Sequence, residues 1–526
     1  MLIRTCRSHS GRLTIFAAML VLFSPAAPAQ SVLTWHNDNS RTGQNLRETI
    51  LTPANVNSTQ FGKKFTRPLD GQTFAQPLYV PNVSIPGQGT HNVVYVATEN
   101  DSVYAFDADG TPTRPLWRRD FTNSMQGITA VPCADIPACP VGPVAGITGT
   151  PVIGSASKTL YVVAFTKENG SYFQRLHALD ITTGAEKFGG PVVIQASVQG
   201  TGAGSVGGTI AFDPLIQNQR PALLLANGVV YIGWASFGDR DNYHGWVLGY
   251  AASTLQQVAV FNDTPNGSQG GIWQGGGGLA AGPGGNIFLQ TGNGTFDANT
   301  IGGVDYGDSF LKLSATGGLS VLDYFTPDNQ ATLDSLDLDL GSGAGLIPPK
   351  QSGAFPNEII SAGKQGIIYV VNRDHMGKFH PAGNNVIQTV TGSIKGYYGS
   401  AAYFNNAVYL SGWADFLDRY SLTNGLLSTL PVSESPTKLN TGSTPSISAN
   451  GSTNGIVWAI EQGTTANPSA VLHAYDASDV SNELYNSSQN ATRDKLGRGT
   501  RFSVPMVVHG KVYVGTKSGL VVYGIL

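Results

Sequence analysis

Residues 290–318, QTGNGTFDANTIGGVDYGDSFLKLSATGG, hold the pairing of residue types best suited to chemistry in this chain. Asn293 stands between Gly292 and Gly294, and Gly307-Asp308 follows fourteen residues after Asn293, just before an apolar run. An amide oxygen can serve a hard cation such as Ca²⁺, which takes oxygen ligands. A carboxylate within hydrogen-bond reach of a substrate hydroxyl can act as general base. The same residues also suit plain turn chemistry, because Asn and Gly favour left-handed backbone and Asp caps loops through backbone N–H groups. Other catalytic patterns are missing. No G-x-S-x-G nucleophile elbow occurs. The glycines at 275–278 lack the Lys-Ser/Thr of a phosphate loop. No C-x-x-C-H occurs, so the chain carries no c-type haem of its own.

The elements that would position these residues repeat along the chain. A β-rich phrase with a central aromatic recurs around Tyr95, Tyr161, Tyr231, Phe288, Tyr369, Tyr409, Trp458 and Tyr513. Each phrase follows a short strand and a Gly- or Asn-containing turn, and each leads into a strand ending in a polar turn, as in VYAFDADG and LHALDITTG. Such self-similarity marks a repeat architecture, and the uneven spacings, from 40 to 81 residues, are read as loop insertions into a four-stranded unit. Eight such units of four strands predict an all-β fold, a single eight-bladed β-propeller over residues 30–526. The final unit, from Val504 on, holds only three strands, while FGKKFTRPLDG (61–71) precedes the first full unit without a partner. The N-terminal segment is therefore expected to close the last blade as its outer strand, with Lys63–Arg67 against Val521–Tyr523. No linker-like break in composition supports two smaller propellers or a pair of sandwiches. The one helical turn expected lies in LTPANVN, with Thr52 as N-cap and Pro53 first in the helix. The glycine run at 275–278 reads as close backbone approach near the propeller axis.

Bulk composition narrows the setting. Only 12% of residues are charged, 66 of 526 are Gly, and the formal net charge is −3, which disfavours nucleic acid as partner. Residues 1–29 read as a signal peptide: Arg4, Arg7 and Arg12, an apolar run LTIFAAMLVLF, then Ala27-Pro28-Ala29. That run is too short for a stable membrane span. The expectation is an exported protein, periplasmic or secreted. In that compartment Cys133 and Cys139 are expected to form a disulfide, with Cα atoms within about 7 Å.

The repeats resemble those of the pyrroloquinoline-quinone (PQQ) propellers, the fold of the quinoprotein alcohol dehydrogenases. LHALDITTGAEKF is similar to the family repeat, and TWHNDNSRTGQNLRETILTPANVNSTQFGKKF to its N-terminal lead. The resemblance runs from about Trp35 to Leu526. It implies a Ca²⁺ ligand at Asn293, a catalytic base at Asp308, and a cation beside the quinone at Lys364, within GKQGIIYVVNRDHMGK. Three departures accompany it. The family's adjacent cysteine pair is absent, since five residues separate Cys133 and Cys139. The tryptophan floor is displaced to Trp273, with glycines at the matching positions. The calcium-binding glutamate is missing, so Asp239 or Asp241 would replace it. Two functions follow: a PQQ- and Ca²⁺-dependent oxidoreductase of alcohols or sugars with an altered site, or a non-catalytic propeller binding a protein partner, a glycan or a small ligand on one face.

Overall fold

The computed structural model describes residue 1, residues 30–240 and residues 242–526. The expected signal peptide and Asp241 therefore lie outside the described residues. Among those described, no helix is long and apolar enough to cross a membrane.

The strands form eight antiparallel blades. Blade one runs through Leu78–Ile85, Gly89–Thr98, Ser102–Asp107 and Trp117–Asp120. The following blades are built around Thr159–Glu168, Val229–Ser236, Ile287–Gln290, Ile368–Asn372, Ala407–Ser411 and Thr453–Glu461. In blade five the innermost strand shrinks to one bridge, Leu346 to Ile360. Blade eight orders Met506–Val508, Lys511–Gly515 and Gly519–Ile525, with Phe61–Pro68 outermost. Lys63 pairs with Tyr523, Phe65 with Val522 and Thr66 with Val521. The chain thus closes its own ring as the sequence predicts, and covers a strand edge that would otherwise be open.

The middle strands carry near-continuous apolar runs, such as VVYVA, TLYVVAF and VVYIGWA, so each blade presents a greasy face to both neighbours. The core is accordingly divided into inter-blade layers. One layer joins blades one and two through Tyr95, Val103, Leu160 and Val162. Another joins blade eight back to blade one through Tyr104, Phe106, Tyr513 and Val522. The repeated tyrosine has a polar reason as well. Tyr95 donates its hydroxyl to Ile181 O (2.9 Å), Tyr161 to Ala252 O (2.6 Å), Tyr409 to Ala477 O (2.6 Å) and Tyr513 to Ala108 O (3.1 Å). Each acceptor lies in the polar turn of the next blade. The aromatic fills the layer while its hydroxyl satisfies a turn carbonyl that would otherwise be buried alone.

Residues 32–48 form a strap that visits every blade in turn. Tyr79 N donates to Val32 O, Ile153 N to Leu33 O, Ala281 N to Asn39 O, Ile347 N to Ser40 O, Tyr403 N to Thr42 O and Ile447 N to Gly43 O. Blade three is reached by Asn39 Nδ2 donating to Leu225 O, and blade eight by Asn45 Nδ2 donating to Val507 O. Arg41 is fully buried and donates to Leu279 O, Thr34 Oγ1 and Trp35 O. Burial lowers its pKa to about 10, which leaves it charged at neutral pH. The glycine run fits against this strap: a Cβ on Gly278 would lie 2.5 Å from the Arg41 guanidinium, and one on Gly277 3.1 Å from Trp35.

Two local readings change. LTPANVN is a single turn, closed by Val56 N donating to Thr52 O, and Asn55 Oδ1 rather than the Thr52 hydroxyl makes the side-chain bond, accepting from Thr52 N. Two short helices, Gln330–Ser335 and Ala491–Asp494, were not expected from the sequence pattern. Replacing Tyr513 by Phe should cost about 1 kcal/mol, read as a shift in chemical denaturation midpoint. Arg41→Met, which strips several buried acceptors at once, should cost more than about 3 kcal/mol; equal midpoints for the two variants would refute the strap's role.

Candidate functional site: an axial cavity

The TGNG turn leaves the strand Ile287–Gln290 and folds against a loop from the next blade. Gly292 is required there, because a Cβ would lie 2.4 Å from Asp339 Oδ1. Asn293 N donates to that same oxygen at 2.7 Å, and Asn293 Nδ2 donates to Asp337 Oδ1 at 3.0 Å. Asn293 Oδ1 is buried and has no hydrogen-bond partner. Lys364 Nζ completes the group, 2.5 Å from Asp337 Oδ1 and 2.5 Å from Asp339 Oδ2. Burial opposes the lysine's charge, but the two carboxylates outweigh it and hold Lys364 above its ordinary range. Burial also raises Asp339, against the pull of Lys364.

Asp308 occupies a different place from the one expected of a base. It is fully buried, with φ at +48°, and its Oδ1 accepts from Leu340 N at 3.0 Å. Gln330 Nε2 stands 3.5 Å from its other oxygen. Burial and the nearby negative charges of Asp339 and Asp334 push its pKa well up. Lys364 does not offset this, because the lysine sits on Asp337 and Asp339. Asp308 instead grips the backbone one residue beyond Asp339 and positions that carboxylate.

Asp339 and Lys364 line a cavity of about 430 Å³. Four aromatic side chains wall it, Trp273, Tyr398, Trp413 and Phe502. Tyr398 and Trp413 meet edge to face at 5.6 Å. The polar wall is Asn218, Arg220, Asp239, Ser342 and Arg501, with Pro140 and Gly275 filling gaps. Arg220 is 7% exposed, its guanidinium 4.8 Å from the Phe502 ring centre and 5.5 Å from that of Phe74. Burial lowers its pKa to about 10, with Glu99 as the opposing charge. Several buried polar atoms here have no hydrogen-bond partner: Arg220 Nη2, Trp273 Nε1 and both amide atoms of Asn218. Orphaned donors and acceptors of this kind are costly unless a ligand or water meets them.

The structure thus brings Trp273, Asp239 and Lys364 to one cavity, with Asn293 held just behind Asp339. Asp239 accepts from Tyr243 Oη at 2.6 Å. Cys133 and Cys139 are bonded, with Cα atoms 5.3 Å apart, and Pro140 directly after them reaches the cavity wall. Asp339, Arg220, Tyr398, Trp413 and Phe502 were missed. Asp337 and Asp339 carried a weak signal, two acids spaced by one residue before a Gly-Ser-Gly turn.

No family model matches the chain, and no curated protein matches it. Among solved structures it is similar to the quinohemoprotein alcohol dehydrogenase ADHIIG from Pseudomonas putida HK5, with a TM-score of 0.59 and 14% identity over 94% of this chain and 80% of that one. The likeness is one of fold. BamB from Moraxella catarrhalis (TM-score 0.48, 12% identity, 88% of this chain and 99% of that one) and Sqt1 from Saccharomyces cerevisiae (0.45, 11%, 89% and 99%) are more distant.

The residues fit a flat anionic aromatic group: rings to stack on, and an unpaired donor in Arg220 to meet its oxygens. For Ca²⁺ the offer is thinner. Among the described residues no group of three acid, histidine or cysteine side chains is placed to hold a metal ion. Asp239 and Asp339 are the cavity's carboxylates, and Asn218 Oδ1 and, behind Asp339, Asn293 Oδ1 are unpartnered amide oxygens. Removing the lysine charge should expose the ion pair's role. Lys364→Met should destabilise the fold by roughly 3 kcal/mol at neutral pH, because Asp339 is left buried without its cation. That deficit should shrink as pH falls and Asp339 takes up a proton; a pH-independent deficit in thermal melts would contradict the pairing.

Proposed function

We propose that the axial cavity binds a quinone of the PQQ kind, and that the chain is an exported oxidoreductase of alcohols or sugars. The observation that carries this is the meeting, in one aromatic-walled cavity, of a buried unpaired arginine with the Asp339–Lys364 pair. A quinone bound there would accept hydride from the substrate carbon. The protein's own groups would do the rest. Trp273 and the rings opposite would sandwich the planar group. Arg220 Nη2 would donate to its oxygens. Asp339, raised in basicity by burial, would take the substrate hydroxyl proton on a carboxylate oxygen. Lys364 would stabilise negative charge beside it. Asn293 Oδ1 and Asp239 would contribute oxygens to a calcium ion, completed by oxygens of the bound group.

A second reading rests on Trp413, which is 41% exposed at the cavity and packed edge to face on Tyr398. Such a platform suits stacking on a glycan, or an aromatic anchor from a protein partner, without catalysis.

Titration of the purified chain with PQQ, with and without Ca²⁺, separates the two. Quenching of tryptophan fluorescence at micromolar quinone is expected, together with dye reduction by alcohols or sugars. Asp339→Asn should lower the rate by at least about 10²-fold while quinone binding persists. The wild-type rate should rise with pH through the Asp339 pKa, since only the ionised carboxylate accepts a proton. Glycan binding with no quinone binding would instead establish the second reading.

A further inference from the structure

Beside the axial cavity lies a second compartment of about 570 Å³, sharing Pro140 and Arg501 with it. Its charged residues are Arg498, Arg501 and Lys517, and no carboxylate lines it. The cations are held together by the fold: Lys517 N donates to Arg498 O at 2.9 Å, and Gly499 bridges to Thr516. Among the described residues none of the three forms an ion pair. Such a concentration of positive charge is pronounced in a chain whose formal net charge is −3. Between the two spaces sits the Arg220 guanidinium, flanked by Phe74 of the second compartment and Phe502 of the first. It is buried, and its Nη2 has no partner.

Cations left unpaired around one concave space repel each other and raise the local concentration of anions. Arginine, with a planar fork of donors, matches carboxylate and phosphate oxygens in pairs. We propose that this compartment is a subsite for the anionic group of the substrate, so that the substrates are sugar acids or sugar phosphates in preference to neutral alcohols. The assignment of the bound molecule as substrate rests on the oxidoreductase reading of the adjoining cavity. Arg501, which lines both spaces, would stand between an anionic group at Arg498 and Lys517 and the part of the molecule in the axial cavity.

The test uses the full chain without quinone. Gluconate, glucose 6-phosphate, inorganic phosphate and glucose are titrated by calorimetry at low and at 0.5 M salt. Both sugar anions should bind at least tenfold more tightly than glucose, and lose that advantage at high salt. Phosphate binding as tightly as glucose 6-phosphate would overturn the sugar assignment. The double variant Arg498→Gln/Lys517→Gln should weaken both sugar anions at least tenfold. PQQ titration of the same variant should be unchanged, which shows that it folds and that the axial cavity is intact. Glucose binding as tightly as gluconate, or a double variant that binds anions as the parent does, would overturn the subsite. Anion binding that responds to the variant in a chain that never binds quinone would overturn the oxidoreductase reading and the substrate role, leaving an anion-binding propeller.

Discussion

The strap at residues 32–48 is the constraint on which the rest of the molecule depends. A propeller holds its blades together by apolar layers between neighbours, and these layers are non-directional. They set the spacing of blades but little else about the axis. The strap adds directional bonds to the innermost strand of each blade in order, and Arg41 ties its two limbs to blades three and four. Removing the cation would leave several buried carbonyls without donors, so the axis and the ring stand or fall together.

The cavity inherits its geometry from that arrangement. Gly275 in its wall has no room for a Cβ beside the Tyr398 carbonyl, and the next glycines, Gly277 and Gly278, press against Trp35 and Arg41 of the strap. Its aromatic wall comes from loops of four separate parts of the chain, at Trp273, Tyr398, Trp413 and Phe502. Its ion pair is held from behind: Asp308 fixes Leu340 N, and Gly292 allows the backbone of the TGNG turn to touch Asp339. The residues that look most reactive in sequence thus serve as the scaffold for one that looks unremarkable.

This explains how far the sequence could be read. The blades were legible because each repeats the same solution, an aromatic in the second strand whose hydroxyl often reaches the next turn. The closing strand was legible because an incomplete last unit and an orphan first segment must meet. The cysteine pair followed from an even number of cysteines left in a chain read as exported. Asp339 was not legible, since its role depends on Lys364 and Gly292, which are distant in sequence and near only after folding. Asp308 could be read two ways for the complementary reason. A Gly-Asp before a strand has the same appearance whether its carboxylate faces a ligand or caps a loop, and burial decides. Arg220 gave no signal at all, because nothing in QNQRPAL announces that the guanidinium ends up enclosed between two phenylalanines.

The self-closing ring has a consequence for biogenesis. A ribosome releases residues 32–68 long before residues 506–525, yet Phe61–Pro68 has its partner only in Gly519–Ile525. Until each blade emerges, the strap groups that will bond it have only water to satisfy them, and the outer edge of the future eighth blade waits unpaired to the end. Contacts of such sequence separation form slowly. A stalled or truncated nascent chain would therefore present sticky edges at both ends of an open arc. The cell's quality control would meet this protein as an arc, and only the completed polypeptide as a wheel.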